Sequence, residues 1–167
     1  MDHLYSDYFL NLAQVSIGFV GFSTIAVVLR EMMGTPFDRF QTLIVRFVIE
    51  CGLAATIYAL GAVLLAVVGL TPPLLWRVAS AALGVFGLVY PTHYLYRRRR
   101  LKPGPIPSYA VAIFLLTSMV DAVLWLNALT PIFRFSVGPY AIGVTWLLAQ
   151  AGIILLSSFS EFLRIER

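Results

Sequence analysis

Charge is what this sequence has least of: only 12% of its 167 residues are Asp, Glu, Lys or Arg. A soluble domain carries about 25%, so the chain lacks the ionic surface that keeps a globule in water. Cysteine is nearly absent too, and a lone Cys51 excludes an internal disulfide. The histidines are His3 and His93. With one thiol they are too few for a zinc site, and too few as axial ligands for a multi-haem bundle. No metal and no cofactor are expected. The opening residues, Met1-Asp2-His3-Leu4-Tyr5, lack the basic stretch of a signal peptide, so no cleaved leader is expected.

What the chain has is apolar length. Hydrophobic residues make up 60% of it, and the mean hydropathy is +0.88. A helix crossing a bilayer needs about 20 mostly apolar residues. Five stretches qualify, roughly 8–29, 50–70, 74–96, 106–129 and 137–163. They are separated by Gly34-Thr35-Pro36, Thr71-Pro72-Pro73, Pro103-Gly104-Pro105 and Thr130-Pro131. The runs are too long for strands and lack polar alternation. The expected fold is all-α: a single polytopic membrane bundle over residues 1–167, with five transmembrane helices.

Basic residues set the orientation. With the polybasic loop 97–105 in the cytoplasm, Arg30, Arg39, Arg46, Arg97, Arg98, Arg99, Arg100, Lys102, Arg164 and Arg167 fall inside. Arg77 and Arg134 fall outside. This positive-inside bias places the N-terminus outside and the C-terminus in the cytoplasm of a plasma or inner membrane. Tyr5, Tyr8, Trp76, Trp125 and Tyr140 would anchor the outer surface, and Tyr94, Tyr96 and Tyr109 the inner one. The net charge of +4 then marks anionic lipid headgroups, not nucleic acid, as the partner of Arg97, Arg98, Arg99, Arg100 and Lys102.

The second helix is expected to begin before the membrane, over about 36–49, with Thr35 as cap, Pro36 in the first turn and Asp38 completing a capping-box-like start. This extension would pack on the polybasic segment or on a neighbouring subunit. Further along, Gly52, Ala55, Ala59, Ala62, Ala66 and Gly69 recur at spacings of 3, 4, 3, 4 and 3. Such a seam lets another helix approach closely. That helix belongs either to the same chain or to a second subunit around a symmetry axis. Gly18 with Gly21, and Ser80 with Gly84 and Gly87, are shorter patches of the same kind.

Asp121 stands out in the fourth span. A carboxylate at mid-membrane costs about 2.5–3.5 kcal/mol on insertion scales, so it should face protein or water. Gln14 and Thr145 lie at similar depth, and Arg77 is placed to reach toward Asp121. Gln150, near the middle of the fifth span, needs a partner too, by default through an interhelical hydrogen bond. These five are the candidates for a pore lining or an ion site; the alternative is a structural hydrogen bond or an Asp121–Arg77 pair. A second polar layer gathers Arg30, Arg46, Glu50 and His93 at the cytoplasmic end, with Arg46 and Glu50 on one helix face. It reads as a gate or ligand contact, or as an interfacial ion pair.

In span number, length and orientation the chain resembles the tryptophan-rich sensory proteins, which bind porphyrins and sterols. Those carry dense Trp-Pro motifs, whereas this chain has only Trp76, Trp125 and Trp146, so the likeness is one of architecture and assigns no residue. Catalytic constellations are missing as well: there is no Cys-x-x-Cys pair, and Asp121, Glu50 and His93 sit at separate depths. The sequence therefore points away from an enzyme. It points toward a homo-oligomeric channel for ions or small solutes. The alternatives are an accessory or scaffold subunit of a larger membrane complex, or a lipid- or small-molecule-binding protein.

Overall fold

The computed structural model describes residues 3–32, 34, 38–101 and 108–165, with side-chain surroundings from 5 to 157. Five helices form it: α1 (His3–Met32), α2 (Arg39–Val67), α3 (Pro72–Leu101), α4 (Ser108–Leu129) and α5 (Val137–Ile165). A 3-10 turn, Pro131–Phe133, joins the last two. All five are long and apolar enough to cross a membrane.

Their ends depart from expectation in instructive ways. Asp38, not Thr35, caps α2: its carboxylate accepts from the Gln41 amide at 2.7 Å, and Gln41 Oε1 accepts from the Asp38 amide at 3.2 Å. The reciprocal bonds start the helix at Arg39; Thr35 and Pro36 lie outside the described residues. Gly69 is not part of the packing seam. With φ +91° it supplies the left-handed residue that ends α2, where Gly69 N–H donates to Ala66 O and Leu70 N–H to Leu65 O. Pro72 and Pro73 open α3 instead of breaking the chain before it, since a first turn needs no amide donors. Arg97, Arg98, Arg99 and Arg100 are helical, not loop: arginine is a good helix former, and cations suit a helix C-terminus. Lys102 lies outside the described residues.

Helices α2 and α5 are central. α2 packs on α1, α5 and α3, α4 packs on α3 and α5, and α1 leans mainly on α2. The α2 seam accounts for this arrangement. Ala55, Ala59 and Ala62 are fully buried, and a side chain at Gly52 would come within 2.6 Å of Val20 Cγ2 on α1. The matching stripe on α1 is Phe9, Ala13, Ser16, Val20 and Ser23, all buried. The seam is thus occupied within the chain, with Ala66 at its half-buried edge. Gly18 and Gly21 face outward with nothing within 4 Å.

Aromatic residues close the core. Phe9, Trp76 and Tyr140 meet with ring centroids 5.6–5.9 Å apart, joining α1, α3 and α5. Trp76 and Tyr140 are therefore interior residues and not surface anchors. Tyr140 also donates to the Tyr58 carbonyl at 2.6 Å. Toward the arginine-rich end, Phe47 packs on Tyr90 and Tyr94, and Phe86 stacks on Tyr90 at 4.9 Å.

Candidate functional site

Helices α3 and α4 run antiparallel, and their register builds the most unusual polar arrangement in the molecule. Small residues on α3 receive large or polar ones from α4. Asn127 Nδ2 donates to Ser80 Oγ at 2.9 Å. The Trp125 indole lies over Gly84, where an added side chain would meet Nε1 at 3.0 Å. Asp121 rests against Gly87, and a side chain there would collide with its carboxyl. The short α3 patch seen in the sequence is thus the bed of the α3–α4 interface.

Asp121 is only 6% exposed, and no hydrogen bond or ion pair joins it to another described residue. The expected pair with Arg77 does not form. Arg77 Nε donates to the Ala128 carbonyl at 3.1 Å, and its guanidinium lies 4.8 Å from the Phe135 ring centroid. Register explains the miss: Arg77 is level with Ala128, whereas Asp121 is level with Gly87, ten residues along α3 and about 15 Å away at 1.5 Å per residue.

Below Asp121 the two helices part into a cleft of about 420 Å³ that opens on the side of the bundle. Leu88, Leu95, Phe114 and Ala122 give it apolar walls, and Thr92, Thr117, Ser118 and Asp121 its polar ones, with Trp125 at the far end. Pro91 also lines it. Having no N–H, Pro91 leaves the Gly87 carbonyl without its helical donor. Behind the wall formed by Gly87, Pro91, Phe114 and Thr117 lies an interior cavity of about 80 Å³, with aromatic lining from Phe47, Phe86, Tyr90, Tyr94 and Tyr109. A groove of about 330 Å³ between α2 and α3 is lined by Tyr58, Phe86, Tyr90 and His93 among others. Its Tyr58 and Tyr90 hydroxyls already donate to Ala82 O and Glu50.

The other residues singled out in the sequence are dispersed. Gln14 is exposed on the outer face of α1. Thr145 bonds Tyr8 Oη at 2.6 Å and gives its own proton to Ala141 O. Gln150 is buried, with Oε1 3.1 Å from Thr117 Oγ1 and Nε2 3.8 Å from Cys51 Sγ. Trp146 Nε1 donates to the same Thr117 oxygen at 3.0 Å. The five polar candidates are therefore not brought together along one path.

The polar layer expected at the cytoplasmic end is assembled in part. Arg46 pairs with Glu50, and Tyr90 donates to the second carboxylate oxygen at 2.6 Å. His93 and Arg97 line the same small cleft, which Arg30 does not. Arg98 is turned inward, 8% exposed and 5.5 Å from the Phe40 ring centroid, so the start of α2 does pack on the polybasic segment. Arg100 lies over the Tyr96 ring at 4.5 Å, while Arg99 is exposed. Two contributors escaped the sequence reading. Asn127 and Tyr90 are not singled out by the sequence: for Tyr90, the apolar residues around it give no periodic signal. Among the described residues, no group of three or more His, Cys, Asp or Glu side chains is arranged to hold a metal. The chain matches no protein-family model, and no curated protein or solved structure is significantly similar to it.

Proposed function

We propose that this chain is a multi-pass membrane protein that binds an amphipathic small molecule or lipid in the lateral cleft between α3 and α4, without catalysis. The observation that carries the reading is Asp121: a residue only 6% exposed, with no hydrogen bond or ion pair to another described residue, at the edge of a cleft of about 420 Å³. Ligand sites commonly measure about 300–1,000 Å³, with apolar walls and a few placed polar groups. A carboxyl held mid-bilayer costs about 2.5–3.5 kcal/mol. Pairing with Arg77 would offset that cost inside the bundle; since the pair is absent, a bound molecule is the natural counterpart. In the proposed orientation α1 starts outside, and Arg99 with Arg100 meets anionic headgroups at the cytoplasmic surface.

The test uses the full chain in lipid nanodiscs with a photoreactive alkyl alcohol. Label should concentrate on α3 and α4 around the cleft. Ala122→Trp, at an exposed position on the cleft wall, should remove it. Label spread evenly over the outer faces of α1 and α2, and indifferent to Ala122→Trp, would overturn the reading.

A further inference from the structure

The polar groups of the α3–α4 cleft share one property: they accept hydrogen bonds and have almost none to give. Ser118 Oγ donates its proton to Phe114 O at 2.9 Å, and Thr92 Oγ1 donates to Leu88 O at 2.7 Å. Thr117 Oγ1 lies 2.8 Å from Ile113 O and 3.1 Å from Gln150 Oε1, so its proton is engaged as well. Ser118 and Thr92 therefore turn only lone pairs to the cleft, while Thr117 Oγ1 also accepts from Trp146 Nε1 at 3.0 Å and has no proton left to offer. Pro91 adds the Gly87 carbonyl, which has lost its helical donor. Asp121, when ionised, contributes two more acceptor oxygens and a negative charge. The one donor side chain, the Trp125 indole N–H, is buried without a partner against Gly84 and is not accessible.

From this we infer the chemical class of the ligand: a primary alkylammonium, its charged nitrogen against Asp121 and Gly87 and its chain along the apolar wall. The inference rests on the cleft-binding reading and adds the headgroup to it. An ammonium supplies three donors and one positive charge to a site that offers only acceptors. Phe114 and Trp125 add aromatic rings to the lining, a kind of group that attracts an alkylated cation. An anionic amphiphile would bring acceptors to acceptors and a second negative charge to the carboxylate. A bare metal ion needs oxygens closing around it from all sides, and the Leu88, Leu95 and Ala122 wall supplies none.

The experiment compares three photoreactive probes of equal chain length on the full chain in neutral nanodiscs: an alkylamine, the matching alcohol and the matching fatty acid. The amine should label the cleft about tenfold more efficiently than the alcohol, a ratio within reach of one charge-assisted hydrogen bond. The fatty acid should label least. Asp121→Asn should remove the amine's advantage, so that amine and alcohol label the cleft about equally, and continued labelling by both shows that the cleft remains folded. The comparison on the unaltered protein stands even if that variant fails to fold. Equal labelling by amine and alcohol, both removed by Ala122→Trp, overturns the ammonium inference and leaves the binding cleft in place. No cleft labelling by any probe overturns both. Loss of amine labelling when sodium replaces N-methylglucamine assigns the acceptors to a metal ion and also overturns the proposal.

Discussion

The Asp121 carboxyl of α4 lies in direct contact with the backbone of Gly87 on α3, a position where a methyl group would collide with it. Gly87→Ala should therefore force the carboxyl to rotate or the helices to part, with a loss of about 1–3 kcal/mol as for other overpacked interiors. Combining it with Asp121→Ala should recover most of that loss, because the colliding group is gone. A double-mutant cycle by thermal unfolding in detergent measures the coupling. Strictly additive losses would mean that the two residues do not meet.

At the other polar site, Glu50 accepts from both Arg46 and Tyr90, yet the two bonds should differ in weight. The Tyr90 hydroxyl is half-buried and donates at 2.6 Å between α2 and α3. Arg46 stands 57% exposed, where ion pairs contribute little. Tyr90→Phe is expected to cost about 1–2 kcal/mol, at or just below the range for a hydrogen bond to a charged group. Arg46→Ala should barely move the unfolding temperature. The opposite ranking would mean that the interhelical bond is not what holds the carboxylate.

Much of the fold was legible because hydropathy over long runs is a strong signal. All five helices fall where apolar stretches stand, and the 3-4 spacing of Ala55, Ala59 and Ala62 marked the most tightly packed face of α2. Boundaries were less legible, because a proline pair can start a helix as well as stop one, and four arginines can end one as well as form a loop. Asp121 was identifiable as a residue needing surroundings. Its surroundings were not, since they depend on the register of α3 against α4, which sequence spacing within either helix does not encode. The same holds for Arg77, whose partner is a backbone carbonyl that no side-chain pattern announces.

The occupied seam on α2 leads to a test of where that small-residue face is used. Ala59 is fully buried, and the Cys51 thiol on the same helix is also fully buried. Ala59→Leu should overpack the interior by about 1–3 kcal/mol and speed maleimide labelling of Cys51 by favouring opening. The molecular mass of the protein in mild detergent should stay the same. A fall in mass with Cys51 still protected would place the seam between subunits.

Asn127 links three elements through one amide: Nδ2 donates to Ser80 on α3 and, at 3.1 Å, to the Ser136 carbonyl in the turn leading to α5. That turn contains two consecutive non-glycine residues, Arg134 and Phe135, each at φ 51°. Left-handed backbone at such residues costs about 1–3 kcal/mol each and persists only where the surroundings hold it. Arg77 supports it from one side by lying over Phe135, and Asn127 supports it from the other. Asn127→Leu keeps the branched side-chain skeleton but leaves the Ser136 carbonyl without this donor, so a loss of about 1–3 kcal/mol is expected. Adding Ser80→Ala should cost little more, because its shared bond is already gone. The exposed Arg134 makes the effect readable by limited trypsin digestion. Cleavage after Arg134 should quicken in Asn127→Leu and not in Ser80→Ala alone, and equal rates in both would show that the turn holds its conformation without the amide.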